Sequence, residues 1–345
     1  MLNFNLNPKT EILATTGPTL HTIEQISKAF NKEVYNFRLA LSSRDRDVVE
    51  YVYNIRSVEK DKKIKAEVLL DFPASRPRTC EMEPIYMNVG EKYTFECNDN
   101  SSLLNKSFKI SNFSDAVEVL QIGERMFFRD GKIQLKVIEI DKASRRVIAV
   151  CILASADLRS NCSCVFPDTN MLYEPIIDLD RVALKRLQEN NLYPNWFAVS
   201  FASGKEQIDK MKQLATEYFP EKKIKIMAKI ETEQGVRNIE EILDNVDGIM
   251  IGRGDLALHI SAVTLPKIQE YLVDFSRKKA KVCVIATEYL EIFATTGIIN
   301  RAELSDIALG TRQKATALML SMESANSKFP MESLELMRQV IKDNN

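Results

Sequence analysis

The amino-acid sequence predicts an α/β protein built on a closed (β/α)8 barrel, with a small β domain inserted after the third strand. Short apolar runs alternate with amphipathic stretches, which is typical of a parallel sheet covered by helices. The runs number about eight, and eight strands favour a closed barrel over an open doubly wound sheet. The 345 residues are enough for a barrel, which needs about 250, and for one insertion.

Each predicted element follows from its own stretch of sequence. The apolar runs that predict strands are residues 11–16, 34–41, 68–71, 196–200, 224–230, 248–252, 282–286 and 317–321. Helical periodicity lies between most of them, at 22–30, 45–58, 181–190, 205–218, 265–279 and 301–314. In a TIM barrel of this kind, the active site lies at the carboxyl ends of the strands.

The alternation breaks once, between about residues 74 and 164. The segments 92–97, 129–135 and 146–152 are β-like and turn-rich there, and no clear long helix separates them. We therefore expect a barrel domain from residues 1–73 and 165–345, and an inserted β domain from 74–164. At the mouth of the barrel, such a domain would be a lid that closes over the substrate.

Composition excludes several classes of protein. The 47 basic and 48 acidic residues give a net charge of −1, so there is no overall field to attract nucleic acid or an anionic membrane. No apolar run of about 18 residues and no secretory leader is visible, which predicts a cytoplasmic protein. Six scattered cysteines and two histidines argue against a zinc site and predict reduced thiols.

A candidate metal site lies at the ends of two neighbouring strands. Lys229 and Glu231 are two residues apart, so their side chains leave a strand on the same face. Asp255 follows the next apolar run, in a glycine-rich turn whose N–H groups could accept an anion. Two carboxylates suit Mg²⁺ or Mn²⁺ holding an oxyanion. An ordinary salt bridge at a strand end is the alternative interpretation.

Several segments, taken in order, resemble the pyruvate kinase family over nearly the whole chain. The strongest are AKIETEQG at 228–235, DGIMIGRGDLAL at 247–258, VIATEYLE at 284–291, RAELSDIA at 301–308 and ALMLSMESANSKFP at 317–330. Weaker matches are TEILATTGPTL at 10–20, FRLALSS at 37–43 and LLDFPASRPRT at 69–79. The resemblance implies a glycolytic phosphotransferase that acts on phosphoenolpyruvate or pyruvate and on ADP.

The resemblance also implies roles for the metal-site residues. Glu231 and Asp255 match the family's ligands of the divalent metal, Mg²⁺ or Mn²⁺. Lys229 matches the lysine that balances charge on the transferred phosphoryl group and on the forming enolate. These roles agree with the chemistry, because phosphoryl transfer depends mainly on positioning and on neutralising negative charge.

Further matches concern substrate binding. Thr287 matches the threonine near the enolate carbon, and the N–H groups around Gly254 and Asp255 match the nest that binds the substrate carboxylate. Arg38 matches the arginine that grips phosphate, and both Arg38 and Arg78 match residues of the nucleotide site.

The monovalent-cation site of the family is incomplete in this sequence. Ser42 and Asp71 match two of its potassium ligands, but Ala40 and Phe72 replace an asparagine and a threonine. Arg76 stands where the family has a glutamate, and potassium-independent members resemble this chain there. We therefore expect that K⁺ is not required and that Arg76 supplies the monovalent charge.

The nucleotide half of the site departs further from the family. Pro73, Ser43, Ser203 and Asp180 replace a lysine, a histidine, an arginine and a second lysine. This leaves two other hypotheses open. One is a metal-dependent lyase or decarboxylase that cleaves another 2-oxo acid through an enolate and ignores ADP, and the other is a catalytically silent metabolite-binding protein.

The sequence ends at Asn345, after the eighth barrel helix. The resemblance implies a C-terminal regulatory domain in the usual members, so we expect no effector control through such a domain here. A homo-oligomer would then form through the barrel.

Overall fold

The structure is a computed structural model that describes residues 9–42, 47–97 and 106–345. Packing separates the chain into two compact units. The first unit contains Met1–Ala74, Glu174–Leu256 and Val263–Asn345, and the second contains Ser75–Tyr173 with Ala257–Ala262. The boundaries expected at residues 74 and 164 for two separate domains stay a prediction, and so does the role of the insertion as a lid.

The chain begins with three strands that alternate with two helices. These elements are β1 (Glu11–Thr15), α1 (Ile23–Asn31), β2 (Asn36–Ala40), α2 (Val48–Lys62) and β3 (Glu67–Phe72). Helix α1 starts at a capping box, in which Thr22 and Gln25 each accept the other's backbone N–H. Helix α2 starts after Asp47, whose carboxylate accepts the N–H of Val49. Side-chain caps therefore set the starts of both helices.

The second unit is predominantly β. Its elements are β4 (Arg78–Thr79), β5 (Ile85–Tyr86), β6 (Lys92–Cys97), β7 (Ser107–Ser111), α3 (Ser114–Val119), β8 (Arg125–Phe128), β9 (Ile133–Asp141), β10 (Arg146–Ala154), β11 (Asp157–Leu158) and β12 (Cys164–Val165). The larger sheet has the order β12-β8-β9-β10-β6-β7-β4, and β11 pairs with β5. Phe95 stacks on Phe128 in its core, with ring centroids 5.5 Å apart.

The chain then returns to the first unit and continues the alternation of helix and strand. The elements are α4 (Asp178–Glu189), β13 (Trp196–Val199), α5 (Lys205–Tyr218), β14 (Lys225–Ile230), α6 (Glu233–Arg237), α7 (Ile239–Asn245), β15 (Gly248–Gly252), α8 (Arg253–His259), α9 (Leu265–Lys278), β16 (Val282–Ala286), α10 (Glu291–Thr296), α11 (Arg301–Arg312), β17 (Ala317–Leu320), α12 (Met322–Ala325) and α13 (Pro330–Asn344).

The strands of the first unit form a closed parallel barrel. Their order is β1-β17-β16-β15-β14-β13-β3-β2, and β2 pairs with β1 to close the ring. Apolar side chains from these strands form a buried cluster that includes Leu13, Trp196, Met227, Met250 and Met319. The predicted fold class, an α/β barrel with an additional β unit, is confirmed.

The barrel strands lie within two residues of their predicted ends, whereas the helices differ more. Helix α2 begins at Val48 and continues to Lys62; the predicted start at Asp45 lies outside the described residues. No helix in the described part of the chain is long and apolar enough to span a bilayer. All six cysteines are free.

Candidate active site

The candidate site begins at the carboxyl end of β14. Lys229 lies in that strand and Glu231 directly follows it, and the Lys229 Nζ is 3.1 Å from the Glu231 Oε1. Their side chains are 12% and 5% exposed. The two-residue spacing thus puts both groups on one face, as the sequence predicts, and they form an ion pair there. The pair is one part of a larger charged cluster.

Asp71 in β3 joins this ion pair to Arg38 in the adjacent strand β2. The Arg38 Nε donates to the Asp71 Oδ2 at 2.6 Å, and the Lys229 Nζ donates to the Oδ1 at 3.1 Å. Burial raises the pKa of Asp71, but the charges of Lys229 and Arg38 outweigh it and hold the pKa below its ordinary value. Asp71 is therefore a buried, ionised carboxylate with a cation on each oxygen.

Lys229 is buried among charges of the opposite sign. Burial lowers the pKa of Lys229, but Asp71 and Glu231 raise it further, so the net shift is upward. Its ammonium also donates to the Ser200 Oγ at 2.8 Å. The lysine is thus a fixed cation here, because each neighbouring carboxylate stabilises its charged form.

Glu231 and Asp255 are the two carboxylates predicted to hold a divalent metal. Burial raises the pKa of Glu231, Lys229 lowers it and the charge of Asp255 raises it, with a net upward shift. The Glu231 Oε2 accepts the N–H of Phe201 at 2.9 Å. Because two carboxylates that repel each other bind a hard divalent cation well, the residues fit Mg²⁺ or Mn²⁺.

Two carboxylates alone are fewer ligands than a divalent metal needs. Within the described ranges, no group of three or more His, Cys, Asp or Glu side chains could hold a metal. Mg²⁺ is commonly bound through one or two carboxylates, with substrate oxygens and water completing its coordination. The pair of carboxylates therefore suits a metal that binds together with an anionic substrate.

Asp255 lies in a helix, where the sequence predicted a glycine-rich turn. Helix α8 starts directly after β15, so Gly254 and Asp255 form its first turn. The N–H groups of a first turn have no acceptor within the helix, and the binding of an anion by this segment stays a prediction. The Gly254 N–H donates to the Thr287 Oγ1 at 3.0 Å, which brings Thr287 to the same turn.

Two residues of this region had no role in the sequence analysis. Ser200 follows β13 and connects strands, since its hydroxyl donates to the Phe72 carbonyl at 2.6 Å and accepts from Lys229. Arg253 is buried and pairs with Asp306 at 2.7 Å. The sequence signals are a position at the carboxyl end of a predicted strand and, for Arg253, a place in the family-like segment 247–258.

The residues predicted for the monovalent cation belong to different units. Asp71 is in the first unit, and Ser42 is exposed in the turn after β2. Arg76 is in the second unit, where its charge partly offsets the burial that raises the pKa of the Cys164 thiol. Arg78 is in that unit too, and its Nη1 donates to the Asn161 carbonyl at 3.1 Å.

Two replacements predicted for the nucleotide site have structural roles in the first unit. Asp180 is buried near the start of α4, and its Oδ2 accepts the N–H of Ile177 at 2.9 Å. Ser203 is buried, and its hydroxyl donates to the Gln207 Oε1 at 2.8 Å. The replacement at Ser43 lies outside the described residues.

Known proteins match the chain in both sequence and structure. A curated pyruvate kinase of Thermotoga maritima is 28% identical over 335 residues, which cover 97% of this chain and 70% of that protein. A pyruvate kinase of Chlamydia muridarum is 29% identical over 339 residues, covering 97% and 69%. The crystal structure of a pyruvate kinase from Cryptosporidium parvum matches with a TM-score of 0.86 and 25% identity, over 99% of this chain and 70% of that one.

The family comparison covers almost the full length as well. The model described as "Pyruvate kinase, barrel domain" matches residues 7–334. Members of this family are phosphotransferases and generally use Mg²⁺ or Mn²⁺. With this match, and with a closed barrel that carries the charged cluster at its strand ends, the chain belongs to the pyruvate kinase family and is an enzyme of the phosphotransferase class.

Proposed function

We propose that this chain transfers a phosphoryl group from phosphoenolpyruvate to a nucleoside diphosphate, with ADP as the first candidate, and releases pyruvate. The observation that carries the proposal is the buried cluster in which Asp71 holds Arg38 and Lys229 beside the Glu231 carboxylate. It supplies two fixed cations and a metal-binding carboxylate within one site, which is the charge distribution that phosphoryl transfer requires.

Different residues of the chain would bind and orient different parts of the substrate. Arg38 would bind the phosphate through its remaining guanidinium N–H groups, because Asp71 holds its Nε and the Thr15 Oγ1 accepts from its Nη1 at 3.1 Å. Lys229 would neutralise charge that moves toward the bridging oxygen. The first turn of α8, at Gly254 and Asp255, would orient the substrate carboxylate, which would share the Gly254 N–H with the Thr287 Oγ1. Thr287 would lie close to the carbon that receives a proton after transfer.

Glu231 and Asp255 would hold the divalent metal. When bound, it supplies Lewis-acid chemistry and neutralises charge on the reacting oxygens. Glu231 is fixed by the Phe201 N–H, so only small adjustments of its carboxylate would accompany binding. Neither the lyase nor the silent-binding hypothesis gains support from these features.

The first experiment measures pyruvate release from phosphoenolpyruvate with Mg²⁺ in potassium-free buffer, with and without ADP. The proposal expects release only when ADP is present. Glu231→Gln should abolish it, because the amide keeps the shape and loses the charge. Glu233→Gln is the matched control, since that glutamate is exposed in α6 and pairs only with Arg237 among the described contacts. Release without ADP, or no release with ADP even after KCl is added, would contradict the proposal.

A second measurement concerns the monovalent cation. We propose that turnover does not require K⁺ and that the Arg76 charge replaces it. Arg76→Glu should then create a requirement for K⁺, seen as turnover that rises when KCl is titrated against a choline chloride background. Arg145→Glu, an exposed arginine of the same unit, is the control. An unchanged response to K⁺ in Arg76→Glu would refute the role of Arg76.

A cytoplasmic location and a homo-oligomer formed through the barrel stay predictions.

A further inference from the structure

The loop that follows β16 has an unusual backbone. Thr287, Glu288 and Leu290 have φ values of 73°, 61° and 57°, in the left-handed region that favours glycine. Residues with side chains adopt such angles only where the surrounding structure holds them, and such sites cluster around functional groups. We call residues 287–290 the 287–290 loop. Contacts with neighbouring residues must therefore stabilise the conformation of this loop.

The side chain of Arg253 contacts this loop and the end of the strand before it. Its Nε donates to the Ala286 carbonyl at 3.2 Å, and its Nη2 donates to the Thr287 carbonyl. Its Nη1 donates to the Asp306 Oδ1 at 2.8 Å, which fixes the guanidinium against α11. The guanidinium carbon is 4.2 Å from the centre of the Tyr289 ring. One buried side chain therefore contacts the loop at Thr287 and at Tyr289, and is itself held by Asp306 of α11.

The backbone next to Arg253 contacts the same threonine. Gly254 donates its N–H to the Thr287 Oγ1, while the Arg253 side chain donates to the Thr287 carbonyl. Thr287 is thus held at both its hydroxyl and its carbonyl by two consecutive residues of α8. A displacement of Arg253 would release one contact directly and change the geometry of the other.

We infer that Arg253 is a positioning residue that holds the 287–290 loop and, through it, the Thr287 hydroxyl. The inference rests on the proposed function for its catalytic consequence, but the positioning itself depends only on these contacts. An arginine is required because its planar fork donates in several directions at once, whereas a lysine has a single ammonium. We therefore expect Arg253→Lys to preserve part of the effect and Arg253→Met to remove it.

The direct test is hydrogen exchange of the Gly254 amide, measured by NMR. This amide lies in a first helical turn, so its protection reports the contact with Thr287. Thr287→Val removes the acceptor and defines complete loss of that protection. We expect exchange at least about tenfold faster in Arg253→Met, close to Thr287→Val, and an intermediate rate in Arg253→Lys.

Arg338→Met is the matched control. Arg338 is also buried and also pairs with a carboxylate, that of Glu11, at 3.5 Å, but it lies in α13 and donates to the Glu33 carbonyl. This variant should lower the melting temperature while leaving the Gly254 amide protected. Wild-type protection of that amide in both Arg253 variants would overturn the inference. If Arg253→Met does not fold, Arg253→Lys decides the question.

Kinetics test whether Arg253 acts through Thr287. With phosphoenolpyruvate, ADP and Mg²⁺, we expect kcat of Arg253→Met to fall about 100-fold, with KM for phosphoenolpyruvate within about threefold. The double variant Arg253→Met/Thr287→Val should be no more than about twofold slower than Thr287→Val alone. Once the Thr287 hydroxyl is absent, Arg253 has nothing further to position. If the losses of kcat in the two single variants multiply in the double variant, Arg253 does not act through Thr287. If the wild type has no turnover, the proposed function fails, while the Gly254 exchange still decides the positioning.

Discussion

At the scale of single residues, Asp71 is the carboxylate on which two proposed catalytic cations depend. It is 3% exposed, and Arg38 and Lys229 each contact one of its oxygens. In Asp71→Asn, the side chain keeps its shape but leaves two largely buried cations without that countercharge. We expect the free energy of unfolding to fall by about 3–5 kcal/mol, the range for a broken buried ion pair, as measured by urea unfolding at pH 7.

A surface ion pair provides the comparison for Asp71. Glu335 pairs with Lys32 at 2.8 Å, but its side chain is 45% exposed, so Glu335→Gln should cost less than about 1 kcal/mol. Since the pKa of Asp71 is held low, its contribution is present above the ordinary carboxyl pKa and is lost as the pH falls through the lowered value. An equal loss in both variants at pH 7 would mean that Asp71 does not organise the cluster.

At the scale of elements, the packing of β15 against β14 shapes the proposed metal site. A Cβ atom on Gly252 would stand 2.6 Å from the Glu231 Cγ and 2.9 Å from its Oε1. Gly252→Ala should therefore displace the Glu231 carboxylate and weaken Mn²⁺ binding about 10-fold or more, as measured by calorimetry. Gly204→Ala is the control, because its added Cβ would meet only the Glu241 Oε2 at 3.7 Å. Unchanged Mn²⁺ affinity in Gly252→Ala would contradict the proposal that Glu231 binds the metal.

The barrel strands are the elements that the sequence predicts well. Each barrel strand is a short run of mainly apolar residues, so its position can be predicted from the local sequence alone. The first turn of α8 could not be predicted from the sequence. It follows β15 directly, and where that strand ends depends on its pairing with neighbouring strands. The partners of Arg253 lie 33 and 53 residues further along the chain, at Ala286 and Asp306. Such contacts have no periodic signal.

The candidate site was predictable only in part, for a related reason. The shared face of Lys229 and Glu231 follows from strand geometry, which is local. The pairing of Asp71 with Arg38 and Lys229 depends on which strands become neighbours in the closed barrel. A resemblance that assigns Asp71 to a potassium site therefore does not reveal that two side-chain cations contact it.

At the scale of the whole molecule, buried carboxyl groups should make stability depend on pH. Burial raises the pKa of Asp180 to about 7, with a further increase from the charge of Asp71, and burial raises that of Glu323 to about 7. Both groups are protonated in the folded chain and ionised in the unfolded chain between about pH 4 and pH 7. Each therefore stabilises the fold fully at low pH, and that stability is lost as the pH rises through the folded pKa, at up to about 1.4 kcal/mol per pH unit.

Asp180→Asn should remove the Asp180 part of this dependence, because the amide stays neutral and its oxygen can still accept the Ile177 N–H. Urea unfolding at pH 5 and pH 7 should show a smaller difference in the variant than in the wild type, with higher stability of the variant relative to the wild type at pH 7. Asp178→Asn, an exposed position in the same helix, serves as the control. A wild-type chain whose stability rises from pH 5 to pH 7, or a variant with an unchanged slope, would show that Asp180 is ionised in the folded protein and that its charge is compensated within the barrel.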